Sequence, residues 1–156
     1  MRMFGLSLPA QLTDVAPLIV RVTVGIIMVA HGWQKLAVTG PANFGQGLAS
    51  SGVPLPVFMG YLTTFTELVG GILLIIGLLS RFAGLALTID LVVATLLVKI
   101  HVGLIAPRGA GAGAELDLAL IAGFLAILLA GPGRISLDYL FGIERDAAKG
   151  STTRSA

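Results

Sequence analysis

The sequence predicts an all-α, polytopic integral membrane protein that folds as a four-helix bundle. Of its 156 residues, 56% are hydrophobic and only 12% are charged, whereas soluble domains carry about 25% charged residues. The mean hydropathy is +0.97. A membrane span needs about 20 apolar residues. The chain is therefore long enough for four spans and leaves no room for a separate soluble catalytic domain.

The segment at residues 57–80 is the clearest predicted span. At a rise of 1.5 Å per residue it would measure about 36 Å, enough to cross a hydrocarbon core of about 30 Å. Glu67 lies near its middle, where a carboxylate must face protein, be paired or be protonated. Gly70 and Gly71 follow Glu67 at i+3 and i+4 and allow a second helix to approach closely. We therefore expect Glu67 to face the interior of the bundle.

Three further spans are predicted at residues 15–36, 82–105 and 115–131, so that residues 1–148 form one transmembrane domain. Trp33 and Lys35 close the first span as an interfacial anchor pair. The intervening segments at residues 37–56 and 106–114 are rich in glycine and proline, which predicts loops. The last segment, residues 149–156, is predicted to be a disordered cytoplasmic tail.

The basic residues predict the orientation of the bundle. With four spans, both termini and the turn at Arg81 lie on one side of the membrane. That side collects Arg2, Arg81, Arg134, Arg145, Lys149 and Arg154, against Lys35, Lys99 and Arg108 for the other. Because cytoplasmic loops are enriched in Lys and Arg, the N and C termini are predicted to be cytoplasmic.

Two of the ionisable residues inside the predicted spans suggest a structural contact. Arg21 lies about 9 Å and Asp90 about 12 Å from the cytoplasmic ends of their predicted helices. Charged groups at similar depth in a membrane tend to pair with one another. We therefore predict an Arg21–Asp90 ion pair that fixes the register of the first and third spans.

The remaining polar residues predict a pocket in the outer half of the bundle. Ionisable side chains inside a membrane are candidates for function by default. For each histidine alone, an interfacial residue satisfied by the backbone or a lipid headgroup is the alternative interpretation. The candidate ligand-binding and proton-handling residues are Glu67, His31, His101, Lys35, Glu115, Trp33 and Tyr61.

The composition limits which ligands this pocket can hold. The chain has no cysteine, which excludes disulfides, thiol chemistry and thiolate-bound metals or clusters in this subunit. The net charge of +2 gives no indication of nucleic-acid binding. Two histidines are weak evidence for haem, and neither a covalent cofactor nor a metal site is expected. A quinone-like ring requires only a donor, a titratable partner and an aromatic wall, so it is favoured.

An ordered series of motifs resembles the DoxX family. Arg21 and Gly25 form R-x-x-x-G, residues 31–36 read HGWQKL, and residues 52–56 read GVPLP. They are followed by TELVGGILLIIGLLSR at residues 66–81, HVG at residues 101–103, Glu115, and GPGRISLD at residues 131–138. The resemblance implies a four-helix protein of the bacterial cytoplasmic membrane whose relatives accompany quinone-coupled oxidoreductases and oxidative-stress proteins. It implies no agreed catalytic residues.

These observations favour a non-autonomous membrane subunit of a quinone-linked or oxidative-stress redox system. Such a subunit would bind a quinone-like ligand, contact a redox protein partner and lie in the lipid bilayer. Any enzymatic activity would be that of a subunit of a membrane oxidoreductase. One alternative is a non-catalytic scaffold that recruits a soluble oxidoreductase. Another is a small proton-coupled transporter that relays protons through Glu67, Asp90 and the histidines, which four short spans could achieve only as a homo-oligomer.

Overall fold

The structure is a computed structural model that describes residues 10–108 and 111–143. The described part is helical and contains no strand, which confirms the predicted all-α class. The predicted tail at residues 149–156 lies outside the described residues. The helices are α1 (Ala10–Trp33) with a π-helical extension (Gln34–Thr39), α2 (Pro41–Ala49), α3 (Pro56–Ile76), α4 (Ser80–Leu97), a 3₁₀ turn (Lys99–His101), α5 (Ala114–Ala130) and α6 (Leu137–Leu140).

Four of the described helices pack as a bundle. α1 packs on α3, α3 on α4, α4 on α5, and α5 closes the ring against α1. The core between them is apolar, and its most deeply buried side chains include Met28, Leu74, Leu87 and Phe124. Many large apolar side chains on the helices of spanning length instead point outward, as expected for surfaces that face lipid.

Among the described helices, three are long and apolar enough to cross a membrane. They are α1 with its extension (Val15–Thr39), α3 and α4, with mean hydropathies of 1.8, 1.6 and 1.6 over their most apolar windows. α5 has 17 residues and measures about 26 Å, somewhat less than a hydrocarbon core. It also carries Glu115 and Asp117 in its first turn. The polytopic bundle is therefore built from three helices of spanning length and a shorter fourth.

Two predicted spans end earlier than expected. The second ends at Ile76, because Gly77 adopts a left-handed conformation (φ 71°) and caps the helix. The third ends at Leu97 and is followed by the 3₁₀ turn at Lys99–His101. The helix predicted over residues 82–105 is therefore interrupted between Asp90 and His101.

The first span and the loop after it also differ from the prediction. Helical structure continues past residue 36 as the π-helix Gln34–Thr39, and the predicted loop at residues 37–56 contains α2. Pro41 is compatible with a helix here because it occupies the first turn, where its missing N–H has no intrahelical partner. Glycine in this segment allows α2 to pack closely on α3. A Cβ at Gly60 would lie 2.6 Å from the Cα of Gly45, so the two helix backbones are in direct contact there.

The contact between α1 and α3 depends on glycine in the same way. A Cβ at Gly71 would lie 2.8 Å from the carbonyl oxygen of Gly25, and one at Gly25 would lie 2.9 Å from that of Gly71. A Cβ at Gly32 would lie 2.6 Å from the backbone nitrogen of Leu68. The glycines next to Glu67 therefore admit a neighbouring helix, as predicted, and hold His31 and Lys35 against α3.

One end of the bundle is held together by Asp138. Its carboxylate accepts hydrogen bonds from the backbone N–H groups of Leu79 (2.6 Å) and Ser80 (2.8 Å), which caps α4. Its own N–H donates to the carbonyl of Gly77 at 2.8 Å. Arg21 donates to the carbonyl of Ile135 at the same end. We refer to this as the Asp138 end, and to the opposite end, with the π-helix and α2, as the Lys35 end.

The close α1–α3 contact gives a first prediction. Gly71→Ala should destabilise the protein by about 1–3 kcal/mol, because the added methyl group must push apart two helix backbones. Gly47→Ala is the matched control, since a Cβ at Gly47 would meet nothing within 4 Å and alanine favours the helix. Thermal unfolding of both variants in detergent measures the difference, and equal stability would contradict the packing described.

Candidate functional site

Glu67 is paired with Lys35 inside the bundle. The Lys35 Nζ and Glu67 Oε2 atoms are 2.5 Å apart, and the side chains are 14% and 4% exposed. Lys35 also lies over the ring of Phe44 in α2, 5.0 Å from its centroid. A π-helical turn contains more residues than an α-helical turn, and such turns are frequent at functional sites. Lys35 lies in the π-helix and points into the bundle.

His31 lies one turn before Lys35 on the same side of α1. Its Nδ1 is 2.8 Å from the carbonyl oxygen of Ile27. A carbonyl can only accept, so Nδ1 carries the proton, and in the neutral ring Nε2 is left as an acceptor. The backbone of α1 thus fixes both the orientation and the tautomer of His31.

A second ion pair faces the first from the other half of the bundle. Lys99 lies 2.7 Å from the Oδ1 atom of Asp117, whose side chain is only 4% exposed. The hydroxyl of Thr95 donates to the second oxygen of Asp117 at 3.0 Å. Lys99 also lies 3.4 Å from the carbonyl oxygen of Gly113. Asp117 therefore joins α5 to the end of α4.

These groups surround one cavity of about 180 Å³, which we call the polar cavity. Both ion pairs and His31 contribute to its wall, and the rest of the lining is largely apolar. The polar lining residues are His31, Lys35, Thr63, Glu67, Lys99 and Asp117.

Asp90 lies elsewhere, on the wall of a larger neighbouring space. This apolar cleft, of about 360 Å³, is lined by parts of α2, α3 and α4. One carboxylate oxygen of Asp90 accepts a hydrogen bond from Thr63 at 2.8 Å. The other oxygen is buried and has no hydrogen-bond partner among the described residues.

The predicted Arg21–Asp90 ion pair is therefore not formed. Arg21 is only 2% exposed and lies at the Asp138 end, where a Cβ at Gly77 would overlap its guanidinium. Asp90 instead contacts Thr63, which lies about 21 Å from Gly77 along the axis of α3. The predicted depth of each side chain was counted from the predicted cytoplasmic end of its own helix. In the folded bundle Arg21 and Asp90 lie at different heights along the bundle axis, so they do not meet.

Of the seven predicted pocket residues, the structure brings His31, Lys35 and Glu67 together. Trp33 and Tyr61 are 58% and 45% exposed and do not line the polar cavity. His101 is exposed in the 3₁₀ turn. Glu115 is also exposed, and its carboxylate accepts from the N–H of Gly113 at 3.2 Å.

Sequence reasoning missed the second ion pair and the two threonines. Lys99 lies in the 3₁₀ turn, whereas the predicted third span continues as a helix through this position to residue 105. Asp117 does not share a helix face with the predicted pocket residue Glu115, which lies on the alanine side of α5 with Ala119, Ala122 and Ala126, and this side is exposed. The sequence does contain a pattern that indicates the buried face of α5. Helical spacing places Asp117 on the same face as Leu120 and Phe124, and all three are buried. The bulky apolar residues, rather than the alanines, mark the inner face.

The described residues contain no group of three or more His, Asp or Glu side chains arranged to hold a metal ion. The polar side chains of the cavity provide hydrogen-bonding groups and two ion pairs.

The Lys35–Glu67 pair gives a second prediction. Glu67→Gln should lower the free energy of unfolding by about 3 kcal/mol, because it leaves the ammonium group of Lys35 without its counter-charge. Removing one partner of a buried ion pair usually costs about 3–5 kcal/mol. We expect the low end of this range because Lys35 can extend toward the membrane interface. The double variant Lys35→Met/Glu67→Gln should recover most of the loss.

The matched control is Glu115→Gln, which changes an exposed carboxylate on α5. Thermal unfolding in detergent should show it close to the parent. If Glu67→Gln unfolds at the parent temperature, the ion pair contributes nothing to stability.

Comparison with known proteins agrees with this description. The DoxX family model matches residues 16–100. The chain is 34% identical over 127 residues to the membrane protein Rv3486 of Mycobacterium tuberculosis, covering 76% of this chain and 77% of the relative. It is 31% identical over 125 residues to the Bacillus subtilis protein named "Putative oxidoreductase CatD", covering 80% and 86%. No solved structure matches at a significant level. The chain belongs to the DoxX family of membrane proteins.

Proposed function

We propose that this protein is the membrane subunit of a redox system and that its polar cavity binds a quinone-like ring. The observation that carries the proposal is the convergence of His31 with two lysine–carboxylate pairs on one intramembrane cavity. Ionisable groups are costly in a membrane and tend to be retained for function. The following features of the cavity favour this class of ligand.

The charges around the cavity balance. Lys35 and Glu67 neutralise each other, as do Lys99 and Asp117, so the wall carries no net charge from these pairs. An ionic ligand would find no uncompensated counter-charge there and would lose its hydration on binding. A neutral ring with polar substituents avoids that cost. This favours a quinone over a charged substrate.

The hydrogen-bonding groups suit both oxidation states of such a ring. Quinone carbonyls only accept hydrogen bonds, and the lysines have N–H groups beyond those used in their ion pairs. Quinol hydroxyls also donate, and Nε2 of His31 is a free acceptor in the neutral ring. The same cavity can therefore hold the ring before and after reduction.

We assign catalysis to a partner oxidoreductase, with this chain supplying the ring-binding site in the membrane. The oxidoreductase name of the CatD relative supports the redox context. A protein that only recruits such a partner would have no use for the buried polar cavity. Ring binding by the cavity would therefore support our proposal, and its absence would support the scaffold alternative.

The third prediction tests binding. The purified parent chain in detergent should bind menadione, a chain-free naphthoquinone, measured by equilibrium dialysis. His31→Ala should weaken binding of the reduced ring by about tenfold, since it removes one hydrogen bond. His101→Ala is the matched control, because His101 is exposed and outside the cavity. A parent that binds no menadione would overturn the proposal and favour the scaffold alternative.

We further propose that the protein lies in the bacterial cytoplasmic membrane with its Asp138 end in the cytoplasm. The excess of basic residues on that side supports this orientation. The π-helix, α2 and the polar cavity would then lie toward the outer leaflet.

The fourth prediction tests this orientation. Alkaline phosphatase fused after Ala156 should be inactive, because the enzyme is active only when exported. Green fluorescent protein at the same position should be fluorescent. Phosphatase fused after Arg108 should be active, as this loop is expected outside. The reverse pattern would place the polar cavity in the cytoplasmic leaflet.

A further inference from the structure

The apolar cleft adjoins the polar cavity. Five residues line both spaces: Phe44, Leu48, Thr63, Ala94 and Val98. The two spaces are therefore neighbouring compartments that share a wall formed by α2, α3 and the end of α4. Thr63 marks the junction, because it lines both compartments and donates to Asp90 in the cleft.

The sizes of the two compartments limit what can occupy them. Small-molecule sites in proteins usually measure about 300–1,000 Å³. The polar cavity, at about 180 Å³, is smaller than this, whereas the cleft, at about 360 Å³, lies within the range. A molecule that uses both must place a compact polar part in the cavity and a larger apolar part in the cleft.

The outer wall of the cleft faces the bilayer. Leu62 of α3 and Ile89 and Val93 of α4 line it and are 48%, 56% and 41% exposed. Both helices are of membrane-spanning length and composition. The open side of the cleft therefore meets hydrocarbon rather than water, so its occupant reaches it by diffusing laterally in the lipid.

Among the described residues that line the cleft, Asp90 is the one with an ionisable side chain. Thr63 satisfies one of its oxygens, and the other is buried without a hydrogen-bond partner among the described residues. A buried polar atom of this kind calls for an explanation, since leaving it unsatisfied is costly. Its contact with Thr63, which lines both compartments, would bring Asp90 next to a ring held in the polar cavity.

We propose that the cleft binds the apolar chain of a lipid-borne quinol or quinone, and that Asp90 at the junction accepts a hydrogen bond from the ring hydroxyl of the quinol. The inference rests on the proposed function, because it assigns the second half of the same site. It identifies the ligand class as a chain-bearing amphiphile that reaches the site from the bilayer, and Thr63 as the residue that positions Asp90.

The fifth prediction tests the chain-binding compartment. Phylloquinone has the same ring as menadione and adds a long apolar chain. Ala86→Phe, which fills the cleft, should weaken phylloquinone binding to the full chain in nanodiscs at least about tenfold, or about 1.4 kcal/mol. Menadione binding should change less than about twofold, since Ala86 lines the cleft and not the polar cavity. Empty nanodiscs correct for partitioning of phylloquinone into lipid.

Ala119→Phe is the matched control for this experiment. Ala119 is exposed on α5 and lines neither compartment, so this variant should bind both probes like the parent. Unchanged phylloquinone binding by Ala86→Phe would overturn the inference while leaving the proposed function intact if menadione still binds. Failure of the parent to bind either probe would overturn both.

The role of Asp90 is tested by comparing the binding of the reduced and the oxidised ring. Asp90→Asn preserves the shape and the acceptor for Thr63, but turns an N–H₂ donor toward the cleft. Binding of anaerobically reduced menadiol should fall about tenfold relative to menadione, because only the reduced ring has hydroxyl donors. A general loss of structure would weaken both forms alike. An unchanged ratio of the two affinities would exclude the proposed hydrogen bond.

Discussion

The arrangement of the helices at the Lys35 end depends on two ion pairs inside the bundle, Lys35–Glu67 and Lys99–Asp117. A charged group at the centre of a bilayer costs several kcal/mol unless it faces protein and has a partner. Glu67 meets this requirement through Lys35, and Asp117 through Lys99. Each pair joins elements that are distant in sequence: the extension of α1 to α3, and the end of α4 to α5. The ion pairs therefore help to set which helices are neighbours at the Lys35 end.

Close helix contact makes this pairing geometrically available. Gly25 and Gly71 let the backbones of α1 and α3 approach until a single methyl group would collide. That distance brings the short segment after α1 within reach of Glu67, and the wider π-helical turn carries Lys35 inward. At the other end of the bundle, Asp138 caps α4 and holds the α3–α4 turn. The glycines bring α1 and α3 together, and the Lys35–Glu67 ion pair stabilises the same contact.

The polar cavity and the apolar cleft both lie toward the Lys35 end of the bundle. α2 lies over α3 there and contributes Phe44 and Leu48 to both spaces. Groups that donate, groups that accept and an apolar wall meet around a site with balanced charge. Such an arrangement fits the neutral, lipid-borne amphiphile that we propose as the ligand.

Composition and the long apolar segments were sufficient to predict the class, because the lack of water in hydrocarbon forces the backbone into helices. The sequence also indicated that Glu67 faces protein beside Gly70 and Gly71, since an unpaired carboxylate cannot face lipid. The helix ends, α2 and the π-helix were missed, as they depend on caps and on glycine packing against a distant helix. Pairing was likewise decided only in the folded chain. Arg21 and Asp90 appeared equal in depth along the sequence, yet depth is set by where each helix begins and how it is shifted against its neighbours. Rotation of α5 about its axis made Asp117, and not Glu115, the inward carboxylate, because burying Leu120 and Phe124 stabilises the bundle more than burying alanines would.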